Sequence, residues 1–194
     1  MSVKSPIGRV AYPYLASARR RKPTDKARYS VCLVFPEGTD FSGLKELAKT
    51  AALKKFPNGI PKGLKSPFRS GEDREREDGT YPEGFSATDT YIDFWRYEDD
   101  GAPPVVGPNR QPILPGSVYA GCTGLVLANA SAYSVDGNKG VSFHLEAFQF
   151  AADGERIGGS EPVNPETDFD ELPGSAPAAA GAAAASPQSV DDLW

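Results

Sequence analysis

The fold class the sequence predicts is mainly β: a small closed or half-closed barrel of about five strands, with one helix and long loops. Three observations carry this. Glycine and proline number 20 and 18 in 194 residues, beside many valines, tyrosines and phenylalanines, a composition of short strands and turns rather than of a helical bundle. Several short runs alternate apolar and polar residues with the period of a strand. One segment alone repeats its apolar residues at a clear helical spacing. The length is that of roughly one domain with a real core.

Taken in order, residues 9–15 (RVAYPYL) alternate weakly and carry Pro13, which suits an edge strand. Residues 17–28 (SARRRKPTDKAR) read as an exposed basic loop. Residues 29–35 (YSVCLVF) form a strand with Val31, Leu33 and Phe35 on one face and Ser30, Cys32 and Val34 on the other. Asp40 or Ser42 caps a helix whose apolar positions are Leu44, Leu47, Ala48, Ala51, Ala52 and Phe56, and Pro57-Asn58-Gly59 ends it.

Residues 59–86 are loop-like, and their charge run GEDREREDG reads as a solvated excursion. Residues 88–97 (TDTYIDFWRY) alternate again, with Ile92 and Phe94 opposite Tyr91, Asp93, Trp95 and Tyr97. Three aromatics and an acid on one face are unusual for plain solvent exposure. Residues 103–115 read as a short hairpin or a pair of bends around Gly107-Pro108-Asn109. The two longest strand candidates, 117–133 and 141–150, flank the hairpin turn Asp136-Gly137-Asn138-Lys139-Gly140. Gly121 and Gly124 suggest a bulge or sharp coil that lets a sheet close. Either face of 141–150 suits a core, since both carry aromatics.

The domain organisation expected is a folded body, 1–160, and a flexible acidic tail, 161–194. Ala, Gly, Ser and Pro dominate the spacer after Pro173, so it has nothing with which to build a core. It ends on Asp191, Asp192, Leu193 and Trp194. Residues 157–194 hold seven acids and no lysine or arginine, whereas residues 1–70 carry 15 cations against four acids, a balance of +11. The net charge of −5 thus conceals a strongly basic first third.

Several chemistries find no motif. No run approaches the roughly 20 apolar residues of a membrane span, and MSVKSPIGRV lacks the apolar stretch of a secretion signal. Cys32 and Cys122 sit in apolar runs and read as buried thiols of a reducing cytoplasm, a single disulfide staying open. Their spacing builds no zinc site, and no cofactor is expected. GIPKGLKS misses the phosphate-loop pattern at Leu64, which stands where the second glycine belongs. No nucleophile elbow appears, and the single histidine, His144, reads as a sheet-face residue. Asp89 and Asp93, four apart, leave a carboxylate-metal nuclease as an alternative. A structural or adaptor protein with a basic contact loop is the other.

The chemistry the chain does supply is that of sequence-independent single-strand binding, which needs cations along the phosphates and flat rings under the bases. Tyr12 and Tyr14 flank a loop holding Arg19, Arg20, Arg21, Lys22, Lys26 and Arg28, and Trp95, Arg96 and Tyr97 extend the platform. Lys139 in the hairpin turn adds a cation. The tail then reads as a tethered competitor of DNA, with Asp191, Asp192, Leu193 and Trp194 as its regulatory and partner-binding tip.

Two stretches carry a family resemblance. One is the tail with its aromatic end; the other is residues 115–159, with Pro115-Gly116, Gly121-Cys122, Gly137-Asn138-Lys139-Gly140-Val141 and Asp153-Gly154-Glu155. In these the chain resembles the tailed-phage single-stranded DNA-binding proteins, an OB-fold family with acidic C-terminal tails ending in an aromatic residue. The resemblance implies a non-enzymatic protein that coats single strands in phage DNA replication, recombination and repair, in the cytoplasm of the infected bacterium. It also implies replication or recombination proteins as partners of the tail; no membrane partner is expected, and monomer and dimer both stay open. Trp194 stands where the family's bacterial and phage counterparts end on Phe.

Overall fold

Described over residues 2–158 by a computed structural model, the chain runs β1 (Val3–Lys4), β2 (Gly8–Arg19), β3 (Arg28–Phe35), α1 (Ser42–Lys55), β4 (Arg69–Ser70), β5 (Thr90–Tyr97), β6 (Val105–Val106), β7 (Thr123–Val135) and β8 (Asn138–Ala152). The expected tail, 161–194, and its tip Asp191, Asp192, Leu193 and Trp194 lie outside the described residues. The five long strands form a ring. β2 pairs with β3, β3 with β5, and β7 with both β8 and β2, all antiparallel, while β5 and β8 run parallel. This is the five-stranded Greek-key barrel of an OB fold. The short strands β1, β4 and β6 add to β7, β5 and β8.

Alternation decides what fills the ring. Val31, Leu33 and Phe35 of β3 and Ile92 and Phe94 of β5 point inward and are essentially fully buried, joined by Val10, Val126, Phe143, Leu145 and Phe148. α1 closes one end by adding Leu44, Leu47, Ala48 and Ala52 to the same core. Its N-terminus is held by the Asp40 carboxylate, which accepts from the Ser42 backbone N–H at 2.8 Å and from its hydroxyl at 3.1 Å. Those hydrogen bonds hold the Asp40 carboxyl below the usual carboxylate range.

The seam where β7 returns to β2 is a pair of glycines, Gly8 opposite Gly124. Phe35 and Phe148 occupy the space their side chains would need: a Cβ on Gly8 would stand 2.6 Å from the Phe35 ring, and one on Gly124 would run into Phe148. The β7–β8 turn is Asp136-Gly137, both at positive φ (47° and 78°), the geometry a two-residue hairpin requires.

Two bulges account for what the alternation leaves ambiguous. In β8, Leu145 and Ala147 face the consecutive residues Ala128 and Leu127, so Glu146 is an extra residue. Inward residues are Val141, Phe143 and Leu145 before it and Phe148 after it, which is why aromatics occur on both faces. In β2, Ala11 pairs with Cys32 and Tyr14 with Ser30, leaving one extra residue at Tyr12-Pro13, with Tyr12 at φ 49°. β2 is therefore not the edge strand that Pro13 suggests. The proline is accommodated because its ladder with β3 is interrupted there and its pairing with β7 reaches only Gly8 and Arg9.

The excursion 71–89 is not merely solvated. It folds over one end of the outer face of the sheet, where Phe85 and Tyr81 cover Ala11, Cys32, Val34 and Tyr91. It is tied down by the Gly71 N–H to the Asp89 carbonyl at 2.6 Å, by the Arg9–Asp89 ion pair at 3.7 Å and by the Glu83 carboxylate accepting from Gly158 N–H at 2.9 Å.

Candidate nucleic-acid interface

The register lays the outer face of β2, β3 and β5 out as transverse rows. Ala11, Cys32 and Asp93 make one row; Tyr14, Ser30 and Trp95 the next, continued into β8 by His144; Arg19, Arg28 and Tyr97 the third. The β2 bulge turns Tyr14 onto this face. Without the extra residue the strand would present Pro13 opposite Ser30, and Tyr14 would point into the barrel. The excursion covers the first row's end and leaves the second and third open.

Two adjoining recesses occupy this face. The smaller, about 410 Å³, is lined by Tyr12, Tyr14, Arg19, Arg20, Arg21, Lys26, Arg28, Ser30, Cys32, Arg74, Asp93 and Trp95, among others. The larger, about 990 Å³, runs on past Arg28, Asp93, Trp95 and Tyr97 to Lys65, Arg69, Tyr133 and Val135 near the β7–β8 hairpin. Arg21, Arg28, Asp93 and Trp95 line both. The result is a groove from the β2–β3 loop to the β7–β8 hairpin, the two loops and the strand face through which OB folds bind oligonucleotides and oligosaccharides.

Cations and rings interleave along it. The Arg19 guanidinium lies 4.6 Å from the centre of the Tyr14 ring and donates to its hydroxyl at 2.6 Å. Arg28 lies 4.4 Å from Trp95 and 5.0 Å from Tyr97, and Lys26 5.6 Å from Tyr97. Arg74 sits between Tyr91 at 4.5 Å, Phe85 at 5.4 Å and Tyr12 at 5.9 Å. Trp95 meets Tyr97 and His144 edge-on at 4.9 and 4.5 Å. Among the described residues, Arg19, Arg20, Arg21 and Arg28 form no ion pair, so their charge is free for an external anion. Lys26 is paired with Asp99 at 3.0 Å, and that hydrogen bond raises its pKa.

Of the residues singled out in the sequence, Tyr12, Tyr14, Arg19, Arg20, Arg21, Lys26, Arg28, Trp95 and Tyr97 come together in the groove. Arg96 does not. It alternates away from Trp95 and Tyr97, donates to the Asp100 carbonyl and pairs with Glu146 at 3.7 Å. Lys22 and Lys139 line neither recess; the Lys139 carbonyl accepts from Lys65 N–H at 2.9 Å, bringing Lys65 to the groove instead. Sequence reasoning missed Lys65, Arg69, Arg74 and Tyr133. Arg69 and Arg74 flank the start of an acidic run that reads as solvent-facing, and nothing local signals that it folds back.

His144 is a sheet-face residue, its Nε2 2.6 Å from the Ser131 hydroxyl and its pKa lowered by burial. Asp89 and Asp93 do not act as a pair: each has its own arginine, Arg9 and Arg69, at 3.7 Å. Cys32 and Cys122 are both free and buried, and burial pushes both thiols up.

Comparison with known proteins agrees with this architecture. The sequence model of the family of the Enterobacter phage Enc34 ssDNA-binding protein matches residues 1–178. Among solved structures, the single-stranded DNA-binding protein of bacteriophage Enc34 in complex with ssDNA is similar at a TM-score of 0.62 and 18% identity, over 81% of this chain and 89% of that one. Its C-terminal truncation gives 0.63 and 16%, over 80% and 88%. The single-stranded DNA-binding protein gp2.5 of bacteriophage T7 gives 0.57 and 16%, over 83% and 91%. No curated protein matches the chain.

Proposed function

Because the chain belongs to the family of the Enterobacter phage Enc34 ssDNA-binding protein, we propose that it binds single-stranded DNA along the outer face of β3 and β5. The observation that carries this is the groove itself, in which arginines that form no ion pair among the described residues alternate with Tyr14, Trp95 and Tyr97. Phosphates follow Arg19, Arg20, Arg21 and Arg28, supported by Lys65 and Arg69, while bases stack on the rings. No read-out of an extended sequence is built in, so the protein coats strands exposed in phage replication, recombination and repair, in the host cytoplasm. It needs no cofactor for this and performs no chemistry on the DNA.

The body, residues 1–160, carries the binding, and the tail, 161–194, regulates it. Seven acids between 157 and 194 compete intramolecularly for the groove, and DNA displaces them. The freed tip, Asp191, Asp192, Leu193 and Trp194, then recruits replication or recombination proteins. Fluorescence anisotropy of a labelled oligothymidylate at two salt concentrations tests both parts. Tight, salt-weakened binding that tightens further on deleting 173–194 is expected; no binding at low salt by either form refutes the DNA reading, and unchanged affinity after deletion refutes the competition.

A further inference from the structure

Three carboxylates line the groove, Asp25 in the smaller recess, Asp73 in the larger and Asp93 in both, and following phosphates does not explain the shared one. Asp93 lies at its centre, lining both recesses, with its side chain 24% exposed. A carboxylate there repels every phosphate that passes. Its ion pair with Arg69, at 3.7 Å, is longer than a hydrogen bond, so both oxygens keep acceptor capacity. Arg74 lines the same recess, its guanidinium held among the Tyr91, Phe85 and Tyr12 rings and its Nε buried without a hydrogen-bond partner. The Cys32 thiol feels the charge of both.

Resting on the proposed DNA-binding role of this groove, we propose that the smaller recess is a base-reading subsite in which Asp93 selects guanine over thymine. Trp95 and Asp93 are two residues apart on one face, about 7 Å along the strand, so a base stacked over the Tyr14–Trp95 row extends its edge toward the carboxylate. Guanine offers two adjacent donors on that edge, N1–H and the N2 amine, which match the two carboxylate oxygens; its O6 remains for Arg74. Cytosine and adenine offer one amine each. Thymine offers a single N3–H between two carbonyls, which the carboxylate repels. The order of preference is guanine, then cytosine and adenine, then thymine. The recess volume of about 410 Å³ lies in the range of preformed small-ligand sites.

The test is displacement of a labelled oligothymidylate from the full-length protein by unlabelled oligomers of equal length. One competitor is all thymidine, one carries isolated guanosines spaced to prevent quadruplexes, and one carries inosine in their place. The guanosine oligomer is expected to compete about fivefold or more better than the thymidine one, with inosine, which lacks the N2 amine, between them. Asp93→Asn is expected to tighten binding to the thymidine oligomer, by removing a negative charge, while bringing the guanosine-to-thymidine ratio close to one. Equal competition by guanosine and thymidine oligomers overturns the proposal, as does a ratio unchanged in Asp93→Asn. Failure of the labelled strand to bind at all refutes the parent reading of the groove instead.

Discussion

Replacing Trp95 by alanine separates stacking from charge in the groove. The ring is the most connected surface on the open face, with Arg28 4.4 Å above it and the edges of Tyr97 and His144 at 4.9 and 4.5 Å. A base stacked on such a ring contributes about 1–3 kcal/mol. Arg28 must first leave Trp95, which offsets about 0.5–1 kcal/mol of that gain. The net of about 0.5–2 kcal/mol corresponds to a Kd about 2- to 30-fold weaker in the Trp95→Ala protein. Stacking releases no counterions, so a plot of log Kd against log salt should shift in parallel with no change of slope. Anisotropy titration of an oligothymidylate measures both, and Trp95→Phe should recover most of the loss. The tryptophans are Trp95 and Trp194 alone, so in a Trp194→Phe background DNA should quench the emission of Trp95 directly. A loss below twofold, or a loss seen only as a change of slope, would refute the stacking argument.

Three other outcomes follow from the same structure. Replacing Arg19, Arg20 and Arg21 together with alanine should reduce the salt slope by about 2, at roughly 0.7 for each phosphate left without its cation; a parallel shift would place these cations outside the DNA path. Gly124→Ala should lower stability by about 1–3 kcal/mol in thermal or urea unfolding, because the new methyl meets the Phe148 ring and, at 2.8 Å, the Gln149 carbonyl at the barrel seam. Burial lowers the His144 pKa, against Glu146 and Asp100, which raise it, so the unfolded chain binds that proton more readily. The stability it contributes is present above about pH 6.5 and is lost as pH falls through the interval below. His144→Gln should flatten unfolding free energy between about pH 7 and 5, and an unaltered profile would assign the pH dependence to other groups.

The strand faces were legible because period-2 alternation is a local property. Val31, Leu33 and Phe35 against Ser30 and Cys32, and Ile92 and Phe94 against Asp93 and Trp95, are divided in the structure as their order implies. The helix was legible for the same reason, although Ala51 is only half-buried. Bulges were not, since a single inserted residue at Glu146 or Tyr12-Pro13 reverses every later side chain without changing composition. Pro13 therefore suggested an edge, and residues 141–150 suited either face. The aromatic and basic residues of the site were visible as a cluster in sequence, but alternation alone should have set Arg96 apart from Trp95 and Tyr97. Arg69 reaches the groove through the pairing of β4 with β5, and Arg74 through the fold-back of residues 71–89, a tertiary event whose apolar anchors, Tyr81 and Phe85, are scattered through a polar run.

The central claim is that single-stranded DNA lies along the outer face of β3 and β5, between the β2–β3 loop and the β7–β8 hairpin. Hydrogen exchange of the full-length protein with and without a saturating oligothymidylate tests it most directly. The account predicts slowed exchange in residues 19–32 and 93–97 and at the hairpin around 133–141, with β1 and β6 unchanged. Slowing confined to β1, β6 or α1, with residues 28–32 and 93–97 unaffected, would contradict it.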